Sequence, residues 1–290
     1  MLSRRKALAP FFISLVALAG LVAGPAQTLQ AFCPTNGVKC AFGGVGQTHK
    51  DVTVDAVTDL DKEFFSVSKL TKGMKKAISQ ISDANASVDD DQTTAAKHFD
   101  GETFAAGHGR LVTLFDGVIS ALQAEDAAGA RSQLGGALHT AQDFYAHSNW
   151  VEQGGGGPAT GTWRASESVS PVSPPGEATC AFCLDPCTDC GGNLITANIT
   201  SGYYGGEDTP KPIPAKCNHG GPFDSLSAGG GGINKDTSLC DFSPHSNLHS
   251  AAAAVAKDAT KQFIRDLKDR VTFRQLKLLL GVGPTLAMSI

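Results

Sequence analysis

The most informative stretch of this 290-residue sequence is residues 137–152, ALHTAQDFYAHSNWVE. It carries His139, Asp143 and His147 at intervals of four, among small and apolar neighbours. Because an α-helix has about 3.6 residues per turn, this spacing places the three side chains along one face of a helix. The apolar neighbours indicate that this face points inward, where an unpaired polar group is costly. The stretch therefore predicts a buried helix with a stripe of titratable side chains.

Two interpretations of the stripe follow from this helix alone. Neutral imidazoles and carboxylates are zinc ligands, so the stripe fits a metal site. It fits equally well a row of hydrogen-bonded polar groups in a core. The other histidines favour metal: His49 precedes the first predicted helix, His98 stands at a helix entrance, and His245 and His249 flank the start of the last one. Ligands that converge from several helices are typical of metal sites in helical bundles.

Two histidines are expected to lie outside such a site. His108 has no neighbour that suggests a ligand role. His219 could cap the site, but it precedes Gly220 and Gly221, and adjacent glycines favour a turn.

The fold class follows from the spacing of apolar residues. They recur every three or four positions in residues 51–82, with Gly73 as a candidate break, and again in 103–124, 127–150 and 248–280. The region 153–240 instead contains two four-glycine runs, repeated prolines and six of the eight cysteines. We expect a mostly α-helical protein, with a single domain over residues 32–290 and a long Gly/Pro/Cys-rich irregular insertion at 153–240.

The first 31 residues have the pattern of a secretory signal. A basic start is followed by an apolar stretch over residues 7–22 and by small residues, with cleavage expected after Ala26 or Ala31. The pair Arg4-Arg5 also fits twin-arginine export, so both export routes stay open. We expect a secreted or periplasmic protein with no transmembrane helix in the mature chain.

The charge argues against nucleic acid as a partner. The chain has 24 basic and 28 acidic residues, a net charge of −4. Removing Arg4, Arg5 and Lys6 with the signal leaves 21 basic against 28 acidic residues, or −7. Binding to nucleic acid generally needs clustered positive charge.

The cysteines allow two interpretations. An even number in an exported chain favours disulfides, with at least two bridges expected between Cys180 and Cys240. The four cysteines at 180, 183, 187 and 190 also have the paired spacing of a zinc ribbon. Either cross-link would order a region that has little apolar core of its own.

Several segments resemble the heterokaryon-incompatibility Het-C family, in the same order. The resemblance covers nearly all of the mature chain and implies a cell-death or toxin-like effector. The last residues, 280–290, resemble the point where some relatives continue into a von Willebrand factor type A domain, so we expect the Het-C module alone. The matching segments are residues 41–43, 98–102, 138–152, 200–204, 216–221, 232–236 and 243–245.

A more distant similarity is to the zinc-dependent phospholipase C and single-strand nuclease group, which are all-helical enzymes with three zinc ions. In this sequence His147 stands two residues earlier than in that pattern, and Ala253 occupies the place of a late glutamate, for which Glu152 or His245 is a candidate substitute. Asp89 or Asp90 stands where that group has an aspartate, and we take Asp89 as the implied catalytic base that orients or deprotonates a water molecule. The similarity also implies these zinc ligands: His49, His98, His139, Asp143, His147 and His249.

These observations lead us to expect an exported zinc-dependent phosphodiester hydrolase, of phospholipase C type, that holds two or three zinc ions and acts as a toxin or cell-death effector. Its expected partner is a phospholipid membrane surface or another phosphodiester substrate. The alternative is a non-catalytic module in which metal only joins helices, used for recognition or membrane disruption. The missing late glutamate favours this alternative, because a closed structural site needs no open coordination position.

Overall fold

A computed structural model describes residues 46–227 and 232–283. The predicted signal segment, residues 41–43, Cys33 and Cys40 lie outside the described residues. Within them the fold is mostly α-helical, which confirms the predicted class. The helices are α1 (His49–Phe65), α2 (Lys72–Ala86), α3 (Ala95–His98), α4 (Phe104–Gln123), α5 (Ala127–His147), α6 (His249–Lys268) and α7 (Phe273–Leu279).

The first periodic segment forms two helices rather than one. Helix α1 ends before Ser66, whose φ of 49° is left-handed, and α2 begins after Thr71, whose hydroxyl accepts the Met74 N–H. Gly73 lies in the first turn of α2, so it does not mark the break. The left-handed Ser66 ends α1 and the capping Thr71 begins α2, although the apolar spacing continues across both helices.

The other helix boundaries agree with the predicted ones to different degrees. Helix α4 lies within one residue of its predicted bounds at each end, whereas α5 ends at His147, three residues early. The last segment divides into α6 and α7, and the Thr272 hydroxyl accepts the Gln275 N–H at the start of α7. His98 ends the four-residue helix α3 instead of opening a helix, because the next residue, Phe99, has a left-handed φ of 56°.

Helix α5 is the centre of the molecule. It packs against α2, α4 and α6, and all of its residues from Leu134 to His147 are buried. At Gly135 a Cβ atom would lie 2.5 Å from the carbonyl oxygen of Ile81 and 2.6 Å from the Cβ of Ala84. The absence of a side chain at Gly135 therefore lets α2 approach α5 closely. This approach brings the end of α2 beside the histidines of α5.

The described part of the insertion, residues 153–227 and 232–240, has 3-10 turns and isolated β-bridges. It is cross-linked by three disulfides, so the prediction of at least two bridges is confirmed. All four cysteines between 180 and 190 are paired, which excludes the zinc-ribbon alternative in this structure. The bridges are Cys180–Cys217, Cys183–Cys190 and Cys187–Cys240.

The insertion is hydrogen-bonded to the C-terminal end of α5. The N–H of Gly202 donates to the carbonyl of His147 at 3.1 Å, and the N–H of Lys235 donates to the carbonyl of Ala146 at 3.0 Å. A buried ion pair between Lys216 and Glu102, at 2.8 Å, adds a second attachment. None of the described helices combines the length and apolar character that crossing a bilayer requires.

Candidate metal centre

Three imidazoles surround the carboxylate of Asp143. The Nε2 atom of His49 lies 3.0 Å from Oδ1 of Asp143, and both Nδ1 of His98 and Nε2 of His139 lie 2.9 Å from Oδ2. None of the four residues is more than 3% exposed. Four of the six ligands expected from the sequence therefore meet in one place, which we call the first centre.

Asp89 belongs to the same centre. It lies in the 3-10 turn Ser87–Asp90 that follows α2, and its Oδ1 atom is 3.3 Å from Nε2 of His139. Burial and the nearby charge of Asp143 raise the pKa of Asp89 well above its ordinary value. The residue expected to act as a base is thus placed among the ligands rather than apart from them.

The outward nitrogen of each imidazole is held by an acceptor. Nε2 of His98 donates to the carbonyl of Asp91 at 2.9 Å, Nδ1 of His49 lies 2.7 Å from Oε1 of Gln142, and Nδ1 of His139 lies 3.2 Å from Oδ1 of Asn85. A neutral imidazole has one N–H. When the rings are neutral, the three inward nitrogens therefore carry lone pairs directed at Asp143.

The amides that hold these histidines are themselves oriented by hydroxyl groups. Nε2 of Gln142 donates to the hydroxyls of Thr53 and Thr260, at 3.0 Å each, so the amide oxygen faces His49. Nδ2 of Asn85 donates to Thr53 at 2.9 Å, which turns its oxygen toward His139. Such partners fix the tautomer and ring orientation of metal-binding histidines.

The electrostatics of the first centre favour an ionised Asp143 carboxylate beside a neutral His139 ring. Burial lowers the pKa of His139 to about 3, even though the charge of Asp143 opposes this shift. Burial alone would raise the pKa of Asp143, but the charges of His139 and His49 hold it well below its ordinary value. For His98, burial lowers the pKa, and the hydrogen bond and charge of Asp143 outweigh it, so the net shift is upward.

A second group, the second centre, lies at the C-terminal end of α5. Nε2 of His147 is 3.1 Å from Nε2 of His219 and 3.2 Å from Oδ1 of Asp236. Nδ1 of His147 is 3.2 Å from Oδ1 of Asp100. His147 was expected to share one site with His139 and Asp143, but it has different partners.

Three residues of the second centre were missed by the sequence reasoning. His219 was assigned to a turn because of its glycine neighbours, and Asp100 and Asp236 were not considered as ligands. The sequence did contain a hint for Asp100, because it stands only two residues after His98, which was expected to bind metal. No spacing rule connects His219 to α5, because backbone pairing of the insertion determines its position.

His249 is the one expected ligand that the structure places in neither centre. Its Nδ1 donates to the carbonyl of Lys235 at 2.7 Å, and its Nε2 accepts the backbone N–H of Gln47 at 2.9 Å. Both ring nitrogens are thus used by the backbone where α6 begins. In the described residues, His249 belongs to no group with metal-ligand geometry.

The two candidate substitutes for the late glutamate also have other partners. Nδ1 of His245 lies 2.7 Å from Oε1 of Glu152, and Nζ of Lys235 donates to the same oxygen at 2.7 Å. Nε2 of His245 faces the carbonyl of Cys190 at 3.1 Å. These residues form a buried ion-pair cluster rather than a metal site.

Comparison with known proteins identifies a different family from the one expected. Residues 52–277 match the family model of the VWA7 N-terminal domain. The chain is 35% identical to von Willebrand factor A domain-containing protein 7 of Rattus norvegicus over 237 residues, which are 80% of this chain and 26% of that protein. It is 37% identical to the protein of that name from Homo sapiens over 225 residues, or 76% and 25% of the two chains. The chain thus spans about a quarter of the length of these relatives, and no solved structure matches it.

These matches correct several expectations. The assignment to the Het-C family is wrong, and so is the function built on it, that of a phospholipase C-like hydrolase acting as a toxin or cell-death effector. Histidines and aspartates on buried helices indicate the chemistry of a site but not the family, because the same chemistry recurs in unrelated families. The likeness to phospholipase C stays a prediction, while the helical class is confirmed. The family match covers residues 52–277 of the 290-residue chain, and the chain therefore belongs to the VWA7 N-terminal domain family.

Proposed function

We propose that this domain binds zinc at the first centre, through His49, His98, His139 and Asp143, with Asp89 as a further ligand. One observation carries the proposal: the inward nitrogens of three imidazoles converge on one buried carboxylate. Imidazole nitrogens and carboxylate oxygens are ligands that zinc accepts.

A purely hydrogen-bonded polar core explains this geometry less well. Nδ1 of His98 and Nε2 of His139 lie 3.2 Å apart, yet the N–H of His98 is directed outward to Asp91, and His139 has an outward acceptor in Asn85. Oδ1 of Asp143 is buried and accepts no hydrogen bond. Unsatisfied buried polar atoms are costly, so a cation between these atoms accounts for the arrangement.

An ion at the first centre would connect segments that are far apart in the sequence. Its ligands come from the start of α1, the turn after α2, the end of α3 and the middle of α5. A preformed site of this kind does not exist in an unfolded chain, so the free energy of metal binding contributes to folding. We infer that zinc stabilises the packing of these helices.

Elemental analysis of the purified mature protein tests the proposal. We expect stoichiometric zinc, which is reduced in His139→Ala and Asp143→Ala. His108→Ala is the matched control, since His108 lies outside both centres and its ring contacts the carbonyl of Gly161. Wild-type protein that cannot be loaded with zinc, or variants with full zinc content, would contradict the proposal.

We also propose that the chain is exported, as the first 31 residues indicate. The three disulfides support this, because such bonds persist in oxidising compartments. Mass analysis of protein recovered from the secreted or periplasmic fraction should show a chain that begins after Ala26 or Ala31. A cytosolic protein with an intact N-terminus contradicts the proposal.

We also propose that the domain binds a phospholipid surface, and one observation supports this. Phe182 and Leu184 are 82% and 66% exposed on the disulfide-linked part of the insertion. Exposed apolar side chains of this kind are typical of interaction sites. Sedimentation with phosphatidylcholine vesicles should be weakened in the double variant Phe182→Ser/Leu184→Ser, and equal sedimentation of both proteins contradicts the proposal.

A further inference from the structure

We propose that the domain contains a second, independent zinc site at the second centre, formed by Asp100, His147, His219 and Asp236. The site goes beyond the zinc binding proposed for the first centre, because only His147 was expected from the sequence to bind metal. It also has a different structural role. The first centre joins helices to one another, whereas the second joins α5 to the insertion.

The positions of the imidazole hydrogens carry the argument. Nδ1 of His147 lies 3.0 Å from the carbonyl of His98, and Nδ1 of His219 lies 3.0 Å from the carbonyl of Gly220. Carbonyl oxygens only accept, so Nδ1 of each ring carries a hydrogen, and Nε2 is left as the nitrogen that can bind a metal. The two Nε2 atoms face each other at 3.1 Å. At this distance either a proton or a metal ion must lie between the two nitrogens, and a zinc ion can be bound by both of them.

Two carboxylates complete the set of ligand atoms. Oδ1 of Asp236 is 3.2 Å from Nε2 of His147, and its Oδ2 is 3.5 Å from Nε2 of His219. Oδ1 of Asp100 is a buried atom with no hydrogen-bond partner, and Asp100 has metal-ligand geometry with His147 and His219. All four residues are at most 6% exposed. Two imidazoles and two carboxylates in a closed, buried position match the four-coordinate preference of structural zinc.

Local backbone contacts of the insertion hold His219 in place. The N–H of His219 donates to the carbonyl of Tyr203 at 2.8 Å, and the N–H of the neighbouring Gly202 donates to the carbonyl of His147. A Cβ atom at Gly202 would lie 2.5 Å from Cα of His219, so only glycine permits this close approach. The second centre therefore forms only when the insertion is docked on α5.

Disulfides lie next to both ligands that the insertion supplies. Cys217 of the Cys180–Cys217 bridge is two residues before His219, and Cys240 of the Cys187–Cys240 bridge is four residues after Asp236. The first centre draws no ligand from this region. The two centres thus depend on different parts of the fold, and their occupancies can be separated.

The test is zinc content per chain, measured on the oxidised mature protein after loading with zinc and removal of the excess. We expect about two ions in the wild type, as four-ligand sites at both centres would hold. His219→Ala and the isosteric Asp236→Asn should each retain about one ion. His49→Ala should also lose an ion, but from the first centre, and His108→Ala should lose none.

Cobalt substitution separates the two sites, because the absorption of bound Co²⁺ depends on its ligands. The spectrum lost in His219→Ala should be the spectrum retained in His49→Ala. A wild type with about one ion whose content is insensitive to His219→Ala overturns the second site and leaves the first. One ion that is lost in His219→Ala but kept in His49→Ala overturns the first site only. Loss of both ions in Asp236→Asn overturns the independence of the two centres. A wild type that binds no zinc, with a proton shared between the rings of His147 and His219, overturns both sites.

Discussion

The Nε2 atoms of His147 and His219 lie 3.1 Å apart in the interior, although 72 positions separate the two residues in the sequence. His147 is one helical turn beyond Asp143, which belongs to the first centre. The stripe of titratable side chains on α5 therefore passes through two clusters. Helices supply all of the ligands of the first cluster except Asp89, and the insertion completes the second.

Chelation should destabilise the folded domain. At free zinc of about 100 times Kd, binding contributes about 2.7 kcal/mol, which corresponds to a fall in Tm of about 5 to 10 °C when zinc is removed from a domain of this size. Thermal unfolding with and without EDTA measures the difference. Asp143→Ala should have a lower Tm than the wild type and a smaller response to EDTA, because only the second centre then has zinc to lose. An equal Tm for wild-type protein in both conditions contradicts a role for metal in stability.

The amide of Gln142 should tune zinc affinity without touching the metal. Its oxygen lies 2.7 Å from Nδ1 of His49, and its nitrogen donates to Thr53 and Thr260. Gln142→Met keeps the volume but removes these hydrogen bonds, so affinity should fall by about 10- to 100-fold. Competition with a chromophoric chelator measures the affinity. Gln123→Ala, at the exposed end of α4, is the control, and an unchanged affinity in Gln142→Met shows that the His49 ring needs no such support.

Removing one disulfide should release zinc selectively from the second centre. The Cys187–Cys240 bridge has an exposed and a half-buried cysteine, and it closes the segment that carries Asp236. The double variant Cys187→Ser/Cys240→Ser should lower the zinc affinity of the second centre, whereas the first centre keeps its ion. Zinc release to a colorimetric chelator, compared in this variant and in His219→Ala, measures the effect. Release of equal amounts from wild type and double variant shows that the bridge does not position Asp236.

Two glycine substitutions should have opposite effects on stability. At Gly135 a Cβ atom would lie 2.5 Å from the carbonyl oxygen of Ile81, so Gly135→Ala should push α2 from α5 and destabilise by about 1 to 3 kcal/mol. At Gly109, in α4, a Cβ atom meets nothing within 4 Å. Gly109→Ala should stabilise by up to about 1 kcal/mol through helix propensity. Urea unfolding measures both, and a Gly135→Ala protein as stable as the wild type contradicts the close contact.

Asp61 should make stability fall between about pH 4 and pH 7. It is fully buried in α1, neither carboxylate oxygen has a hydrogen-bond partner, and burial raises the pKa to about 7. Below the unfolded pKa of about 3.8 the group is protonated in both states. As the pH rises, only the unfolded chain ionises, so stability declines until the folded pKa is passed.

Asp61→Asn removes this ionisation while it keeps the shape of the side chain. The free energy of unfolding of Asp61→Asn, relative to wild type, should increase from pH 4 to pH 7 by at most about 4 kcal/mol. Urea unfolding at several pH values measures the difference. A difference that is constant with pH means that Asp61 has the same pKa in the folded and unfolded states.

Part of the fold could be predicted because it depends on local spacing. The apolar period located α4 closely, but it could not show that residues 66–71 interrupt the first segment. A left-handed Ser66 and a capping Thr71 end and begin helices there without changing the apolar spacing. The short helix α3 was missed for a related reason, since four residues carry too little periodic signal.

The sequence by itself determined the buried helix α5, the inward stripe of His139, Asp143 and His147, and the even set of cysteines, because helical periodicity and residue chemistry act over a few neighbouring positions. The tertiary structure decided which of these groups meet. It placed His147 with His219 and Asp236 of the insertion, and it directed both ring nitrogens of His249 to the backbone. Such contacts depend on loop closure and backbone pairing between distant segments, and sequence spacing carries no information about these distances.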